Sequence, residues 1–274
     1  MPDVVLLDVA DGVATVTLNR PDVRNALSSE LIGALRACVA DVDGRDDVDV
    51  VVLTGADPAF CAGLDLKELG ADGGPLRPGG DTDAPDTDGD APRAVGRGGR
   101  GGRGPTLPTG KPVIGAVNGV AVTGGLELAL NCDFLVASER ARFADTHARV
   151  GVHPLWGLTV MLPQAIGIRR AREMSTTGNY VDAATALAWG LVNHVVPHDE
   201  LLPFARALAA DVVSNDRRAV RALLGTYEET SRVTVAEAWE VEQVRAAAFH
   251  GAGVDPDEIE RRRRGIVERG RTQI

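Results

Sequence analysis

Apolar and polar residues divide the first part of the chain into strands and helices. Alternation over residues 14–18 predicts a strand with one solvent-facing side, and Asp11-Gly12 before it predicts a hairpin turn. After Ser28, apolar residues recur at helical spacing, so residues 29–43 are predicted to form an amphipathic helix. Continuous apolar runs predict buried strands at 50–53, 112–117 and 134–137. Strands separated by helices indicate an α/β core.

From about Arg169 onward the pattern becomes helical. Asp182 and Gly190 bracket a short predicted helix, and an apolar stripe over 201–212 predicts a longer one. Thr234 and Glu237 have the spacing of a capping box, which predicts a helix start. We therefore predict a core domain over 1–195 and a C-terminal helical region over 196–274.

The composition changes between about 70 and 108, where twelve glycines and six prolines leave few large apolar residues. Such a segment cannot offset the entropy of ordering, so we predict a surface insert of disordered type. Its first part is rich in aspartate and its second part in arginine. The string 97–104 resembles RNA-binding Arg-Gly segments, but the adjacent aspartates argue against a nucleic-acid partner.

The overall composition excludes several classes of protein. The 274 residues are 44% hydrophobic and 25% charged, as in a globular protein, and their formal charge of -10 disfavours binding to phosphate backbones. The three cysteines have no CxxC spacing, so we expect neither a disulfide framework nor a thiolate metal site. No segment is typical of a secretory signal or a membrane span, so a cytoplasmic protein without a membrane partner is expected.

Two strand-to-helix turns are candidate sites of chemistry. The first is AFCAGLDLK (59–67), and the second is NGVAVTGGLELAL (118–130). Small residues at the start of a helix expose backbone N–H groups that can bind an anion or a developing oxyanion, although they also suit an ordinary tight turn. Glu127 lies in the first turn of the second predicted helix among leucines, where it is either a functional carboxylate or a helix-capping residue.

Together these segments resemble the crotonase family, the enoyl-CoA hydratases and isomerases. The resemblance is carried by PAFCAGLDLKEL, by KPVIGAVNGVAVTGGLELALNCDFLVASERARF, and by LNRPDVRNAL, FADTHARVGVHP and AWGLVNHVVP. It covers about residues 4–215 without the insert. It implies an α/β fold with a β-β-α spiral core and a C-terminal helical trimerisation region, and a coenzyme A thioester as substrate.

The resemblance also implies roles for individual residues. The backbone N–H groups of Leu64 and Gly124 correspond to the oxyanion hole that holds the thioester oxygen. Glu127 corresponds to one of the two glutamates that hydratases use to activate water and move protons. His147 stands where hydratases carry the second glutamate; it is either a different acid–base group or a surface or capping histidine. Asp145 is either a substitute proton carrier or a turn residue paired with an arginine.

Further residues correspond to positions near the substrate. The resemblance implies contacts with coenzyme A at Arg24, Ala26, Ala62, Leu64, Asp65, Leu66, Lys67 and Gly124. Leu155 and Trp156 either form a wall of the acyl pocket or pack in the core. No separate cofactor is implied, because coenzyme A is part of the substrate, and no metal is implied.

We therefore expect an enoyl-CoA hydratase-type lyase of fatty-acyl metabolism. One alternative is an isomerase or a related thioester reaction that needs a single carboxylate. Another is a non-catalytic acyl-CoA-binding protein, because His147 replaces the second glutamate. A homotrimer or a hexamer formed by two trimers is expected, whereas the C-terminal arginine cluster 261–264 has no assigned role.

Overall fold

The computed structural model describes residues 3–73, 107, 109–251, 253 and 255–273. The predicted insert lies almost wholly outside the described residues, as do its aspartate-rich part, its arginine-rich part and the string 97–104. The chain forms two compact units, Met1–Arg217 and Arg218–Ile274.

A β-hairpin begins the first sheet. Strand β1 (Val5–Ala10) pairs antiparallel with β2 (Val13–Leu18), and Asp11 and Gly12 between them have φ of 50° and 79°. Positive φ at both turn residues is typical of a type I′ turn, whose twist matches that of the paired strands. The hairpin predicted at Asp11-Gly12 is therefore confirmed.

Parallel strands complete this six-stranded sheet. They are β3 (Val50–Gly55), β5 (Val113–Val117), β7 (Phe134–Ser138) and β10 (His194–Val196). The strand order is β1-β2-β3-β5-β7-β10, and every pair after the hairpin is parallel. The valine-rich runs of β3 and β5 are buried on both faces, as the continuous apolar pattern predicts.

A second, four-stranded sheet has the order β4-β6-β8-β9. Its strands are β4 (Ala59–Cys61), β6 (Val120–Val122), β8 (Arg142–Ala144) and β9 (Val181–Asp182). Three times in succession, a strand of the large sheet leads into a strand of the small sheet and then into a helix. This repeat is the β-β-α spiral that the resemblance implies, and it brings the ends of successive strands to one region.

Eight α-helices are described before Arg217: α1 (Ser29–Gly44), α2 (Leu66–Asp72), α3 (Gly124–Leu130), α4 (His147–Val150), α5 (Leu158–Ile166), α6 (Ile168–Thr177), α7 (Ala183–Trp189) and α8 (Leu201–Val213). The helix predicted at 29–43 is confirmed as α1. It begins after Ser28, whose hydroxyl oxygen accepts the Leu31 N–H at 3.2 Å.

Helix α8 covers the face of β2 that the alternation predicts to be solvent-facing. Leu201, Ala205 and Ala209 of α8 are buried with Val13 in a second core cluster on one face of the large sheet. The prediction of a solvent-facing side for β2 is therefore wrong, and Thr15 on that strand is only 4% exposed.

The predicted domain boundary after 195 puts α8 in the helical region, whereas the first compact unit extends to Arg217.

The C-terminal unit is helical in its described residues. Helix α9 (Arg217–Thr230) leads into it, followed by α10 (Val235–Gly251) and α11 (Pro256–Gln273). The Thr234 N–H donates to Glu237 Oε2 at 2.9 Å, and the Glu237 N–H donates back to Thr234 Oγ1 at 3.4 Å. The predicted capping box is confirmed. Among the helices described, none has the length and apolar character needed to cross a bilayer.

Candidate active site

The first predicted anion-binding turn connects β4 to α2. Gly63 has φ of 84°, and a Cβ there would lie 2.9 Å from the Val122 carbonyl oxygen, so the position requires glycine. Leu64 forms a parallel bridge with Leu27, in which the Leu27 N–H donates to the Gly63 oxygen at 2.7 Å and the Asp65 N–H donates to the Leu27 oxygen at 3.0 Å. This bridge leaves the Leu64 N–H itself without an acceptor among the described residues.

The second predicted turn connects β6 to α3 at Gly124. A Cβ on Gly125 would lie 2.1 Å from the Cys61 carbonyl oxygen, and a Cβ on Gly63 would lie 3.4 Å from the Gly124 nitrogen, so the two turns pack directly together. Gly124 is the first residue of α3, and its N–H has no acceptor within the described ranges. The Leu64 and Gly124 amides are therefore neighbouring unpaired donors, as an oxyanion hole requires.

Asn25 organises the chain before the first turn, and the sequence analysis missed it. The residue is fully buried with φ of 56°, a left-handed conformation that asparagine tolerates better than most residues. Its side-chain amide donates to the carbonyl oxygens of Ala56 at 2.8 Å and Ala59 at 2.7 Å, and its side-chain oxygen accepts the Arg20 N–H at 2.8 Å. The only signal available in the sequence was the residue type, an asparagine two residues before Leu27.

Glu127 is 1% exposed and is held by backbone donors from a distant segment. Its Oε1 accepts the Trp156 N–H at 2.8 Å and the Leu158 N–H at 3.4 Å. These bonds fix the carboxyl group, so Oε2 faces the second titratable residue of the site. Charge-assisted hydrogen bonds of this kind allow a carboxylate to stay buried.

The second residue is His147, the first residue of α4. Its Nε2 lies 3.4 Å from Glu127 Oε2, and its Nδ1 lies 2.6 Å from Asp145 Oδ1. The His147 backbone N–H also donates to Asp145 Oδ1, at 3.1 Å. All three side chains are buried, so the structure brings the predicted proton-handling residues together in the order Asp145, His147, Glu127.

The surroundings of His147 favour its charged form. Burial lowers its pKa, but hydrogen bonds to Asp145 and Glu127 and the charges of both carboxylates outweigh burial and raise the pKa to about 9. Burial likewise opposes ionisation of Asp145, yet its hydrogen bonds with His147 and Ser175 hold the pKa of that carboxyl below its ordinary value. At neutral pH, His147 is therefore an imidazolium next to two carboxyl groups.

The residues expected to contact coenzyme A differ in exposure. Arg24, Leu66 and Lys67 are exposed, Ala62 and Asp65 are half-buried, and Ala26 is buried. The Asp65 carboxylate pairs with Arg20 at 3.1 Å and accepts the Lys67 N–H at 3.1 Å, which caps α2. All six lie beside the first turn or in the segment of Asn25, which that turn contacts.

The two expected residues of the acyl pocket lie in different environments. Trp156 is 5% exposed, and a Cβ on Gly124 would lie 2.6 Å from its Cζ3, so the indole packs against the second turn. Its backbone N–H also holds Glu127. Leu155 is 49% exposed and lies at the surface. The structure thus places Trp156 in the site through both its side chain and its backbone.

A Ser-His-Asp row lies elsewhere in the fold. Ser138 Oγ is 3.0 Å from His198 Nδ1, and His198 Nε2 is 3.1 Å from Asp57 Oδ2. Ser138 is fully buried at the end of β7, so its hydroxyl cannot reach a substrate carbonyl, and the row ties β7 to the segments of His198 and Asp57 rather than forming a nucleophile. Over the described ranges, no group of three or more His, Cys, Asp or Glu residues has an arrangement that could hold a metal ion.

Comparison with known proteins finds relatives along most of the chain. The model of the enoyl-CoA hydratase/isomerase family matches residues 8–81 and 107–265. The Arabidopsis thaliana protein named "Probable enoyl-CoA hydratase 1, peroxisomal" is 36% identical over 259 residues, which cover 94% of this chain and 91% of that protein. A crystal structure of enoyl-CoA hydratase from Mycobacterium tuberculosis H37Rv is 50% identical with a TM-score of 0.70, covering 91% of this chain and 100% of that one. One from Mycobacterium avium is 49% identical with a TM-score of 0.69, covering 91% and 98%.

Proposed function

The chain belongs to the enoyl-CoA hydratase/isomerase family, and from this premise we propose that it hydrates a trans-2-enoyl-CoA with Glu127 and His147 as its proton-handling pair. It is an enoyl-CoA hydratase-type enzyme of fatty acid metabolism that acts on an acyl-CoA thioester. The observation that carries the proposal is the 3.4 Å approach of His147 Nε2 to Glu127 Oε2 beside the two unpaired amides.

The Leu64 and Gly124 amides would bind the thioester oxygen. When water adds to Cβ of the enoyl group, the π electrons move toward the carbonyl and leave negative charge on this oxygen. Two fixed N–H donors stabilise that charge most in the transition state, and removing one donor of this kind typically costs roughly 100-fold to 1,000-fold in rate. Both donors are backbone groups that belong to turns packed against each other, so the protein does not reorganise to supply them.

Glu127 and His147 would divide the two protons of the reaction. Glu127 Oε2 accepts a proton from the attacking water as the new C–O bond forms at Cβ. The His147 imidazolium then donates its Nε2 proton to Cα, so the enolate collapses to the 3-hydroxyacyl thioester. Asp145 does not touch the reacting atoms; it is a positioning residue that holds Nδ1 and favours the charged imidazole.

The pair would reset itself without an outside base. After addition, Glu127 carries one proton more than at the start, and His147 carries one fewer. Because Oε2 and Nε2 are 3.4 Å apart, the proton can return from Glu127 to His147 once product leaves. Atoms balance over the cycle, since the product gains the hydroxyl group of the water and the proton that His147 held, and the remaining proton of the water replaces that proton on His147.

The test follows loss of the enoyl-thioester absorbance of crotonyl-CoA and identifies the product. We expect 3-hydroxybutyryl-CoA from the unchanged chain. Glu127→Gln is expected to lower kcat by roughly 1,000-fold or more while crotonyl-CoA still binds in calorimetry, because the amide cannot take a proton. Glu139→Gln, at an exposed glutamate, is the matched control and should keep full activity.

Three results would contradict the proposal. A chain that binds crotonyl-CoA with no turnover would be a non-catalytic acyl-CoA binder. A chain that moves the double bond of a 3-enoyl-CoA and does not hydrate a 2-enoyl-CoA would be an isomerase, a reaction that needs the same amides and one carboxylate. Equal kcat in Glu127→Gln and the unchanged chain would remove Glu127 from the mechanism.

We also propose how the rest of the substrate binds. The coenzyme A portion would pass along the first turn, where the exposed side chains of Arg24 and Lys67 can meet its phosphates. Leu66 and the small residues Ala26 and Ala62 leave room for the pantetheine arm. The indole of Trp156 would bound the acyl chain close to Gly124 and favour short chains, with Leu155 farther out.

We propose a homotrimer or a dimer of trimers in the cytoplasm. Large apolar side chains of the C-terminal unit are exposed, which supports association through that unit: Leu223, Tyr227, Val235, Trp239 and Val244. The peroxisomal location belongs to the name of the plant relative. Light scattering after size exclusion tests the assembly, and a monomer mass at micromolar concentration would contradict it.

A further inference from the structure

Thr123, immediately before the Gly124 amide, has a strained backbone. Its φ is 53° and its ψ is -118°, a region that β-branched residues rarely adopt. Such strain persists only where surrounding contacts hold the residue in place, and it is enriched at functional sites. Thr123 is 6% exposed and takes no part in the proton transfers described above.

Three contacts hold Thr123. Its N–H donates to the Ala144 carbonyl oxygen at the end of β8, at 3.0 Å, and its own carbonyl oxygen accepts the Glu127 N–H at 3.0 Å. Its hydroxyl is hydrogen-bonded to the hydroxyl of Thr146. Thr146 directly precedes His147 and lies at the N-terminus of α4. Both ends of this hydroxyl pair are therefore next to proposed functional groups.

The conformation of Thr123 sets the direction of the Gly124 donor. The carbonyl of Thr123 and the N–H of Gly124 belong to one planar peptide, and the ψ of Thr123 fixes its rotation. The carbonyl side of this plane is held by Glu127, while the hydroxyl bond to Thr146 ties the residue to the segment that carries Asp145 and His147. The oxyanion donor and the proton donor are thereby joined through two side chains.

We propose that the Thr123–Thr146 hydroxyl pair is a positioning device that holds the Gly124 N–H in register with the His147 imidazole. The pair lies between the group that stabilises the enolate oxygen and the group that protonates Cα. These two events occur on one substrate, so the relative placement of the two groups affects the transition state more than it affects binding. This inference rests on the proposed hydration.

The test compares steady-state hydration of crotonyl-CoA in matched variants. Thr123→Val keeps the branched shape and removes the hydroxyl, and kcat is expected to fall about tenfold with KM changed less than about twofold, because a donor is misaligned rather than lost. Thr123→Ser restores the hydroxyl and should return kcat to near the original value. Thr54→Val is the control, because it removes another buried hydroxyl bond, from Thr54 to the Ala116 oxygen at 2.8 Å.

A double-mutant cycle separates a shared contact from two independent losses. Thr123→Val and Thr146→Val remove the same bond, so the double variant should be about as slow as each single variant rather than roughly 100-fold slower. If Thr123→Val loses more thermal stability than Thr54→Val, the comparison of Thr146→Val with Thr146→Ser decides instead.

Several outcomes overturn the inference. They are a Thr123→Val kcat equal to that of Thr54→Val, a rise in KM with unchanged kcat, or fully multiplicative losses in the double variant. Each of these leaves the proposed hydration intact, because the unchanged chain still turns over crotonyl-CoA. Absence of hydration by the unchanged chain would overturn the proposed function and this inference together.

Discussion

Replacing Asp145 by Asn tests whether a carboxylate keeps His147 charged. The substitution preserves size and removes the charge that lies 2.6 Å from His147 Nδ1 in a buried site. A hydrogen bond to a charged group contributes about 1.5–3 kcal/mol, and about 1.4 kcal/mol corresponds to one pH unit, so the pKa of His147 should fall by roughly one to two. The starting pKa is about 9, because the carboxylates outweigh burial.

The pH dependence of kcat measures this change. His147 must be protonated to act as the acid, so kcat falls as pH rises through the pKa of His147 in the enzyme–substrate complex. The basic limb is expected near pH 9 in the unchanged chain and at roughly pH 7 to 8 in Asp145→Asn. The assay is initial-rate hydration at saturating crotonyl-CoA between about pH 6 and 10. Asp182→Asn, at an exposed helix cap, is the matched control.

Stability should follow the same titration. The folded-state pKa of about 9 exceeds the ordinary value of 6.5, so the stabilisation from charged His147 is complete below pH 6.5 and is lost as pH rises through 9. The free energy of unfolding should fall by roughly 3 kcal/mol from this group over that interval, and by less in Asp145→Asn. Urea unfolding at the low-pH and high-pH ends of this interval measures the change in the free energy of unfolding. If the basic limb of the kcat profile lies at the same pH in the unchanged chain and in Asp145→Asn, the reasoning about Asp145 and His147 is refuted.

Two further predictions concern the scaffold of the site. Asn25→Ala removes hydrogen bonds to several buried backbone groups, so the free energy of unfolding measured in urea should fall by about 3 kcal/mol. Asn19→Ala, with one exposed bond, should change it by less than about 1 kcal/mol, and equal losses would contradict the role given to Asn25. Gly125→Ala puts a Cβ 2.1 Å from the Cys61 oxygen, separates the two turns, and should lower kcat/KM by roughly 100-fold or more. Gly33→Ala, in α1 with no atom near the new Cβ, should leave kcat/KM unchanged and raise the melting temperature; retained activity in Gly125→Ala would show that the turns tolerate separation.

Features fixed by neighbouring residues were predictable from the sequence. The hairpin at Asp11-Gly12 needs two residues with positive φ, and the start of α1 needs a hydroxyl at Ser28. The positions of both turns followed from small residues after apolar runs. In the hairpin and at the start of α1 the stabilising contact spans at most three residues, so the local pattern contains the relevant physics.

Features that depend on distant contacts were not predictable. The burial of Thr15 comes from α8, far along the chain, which covers the face that alternation assigns to solvent. The donor to Glu127 is the N–H of Trp156, and a backbone donor leaves no trace in residue type. The sequence alone does not distinguish Asn25 from an ordinary turn residue, because the carbonyl groups that it bonds, those of Ala56 and Ala59, are more than thirty residues away.

The charge balance of the site explains how a histidine can replace an acid there. A protonated carboxylic acid facing the Glu127 carboxylate would give a pair with a net charge of one negative unit. An imidazolium alone would neutralise Glu127 and remove that charge, but Asp145 lies 2.6 Å from His147 and restores it. The Asp145, His147 and Glu127 group therefore presents the same net charge to the enolate as the two-carboxyl site, with one transferable proton in each case. On this argument, Asp145 is the necessary companion of His147 rather than an independent proton carrier.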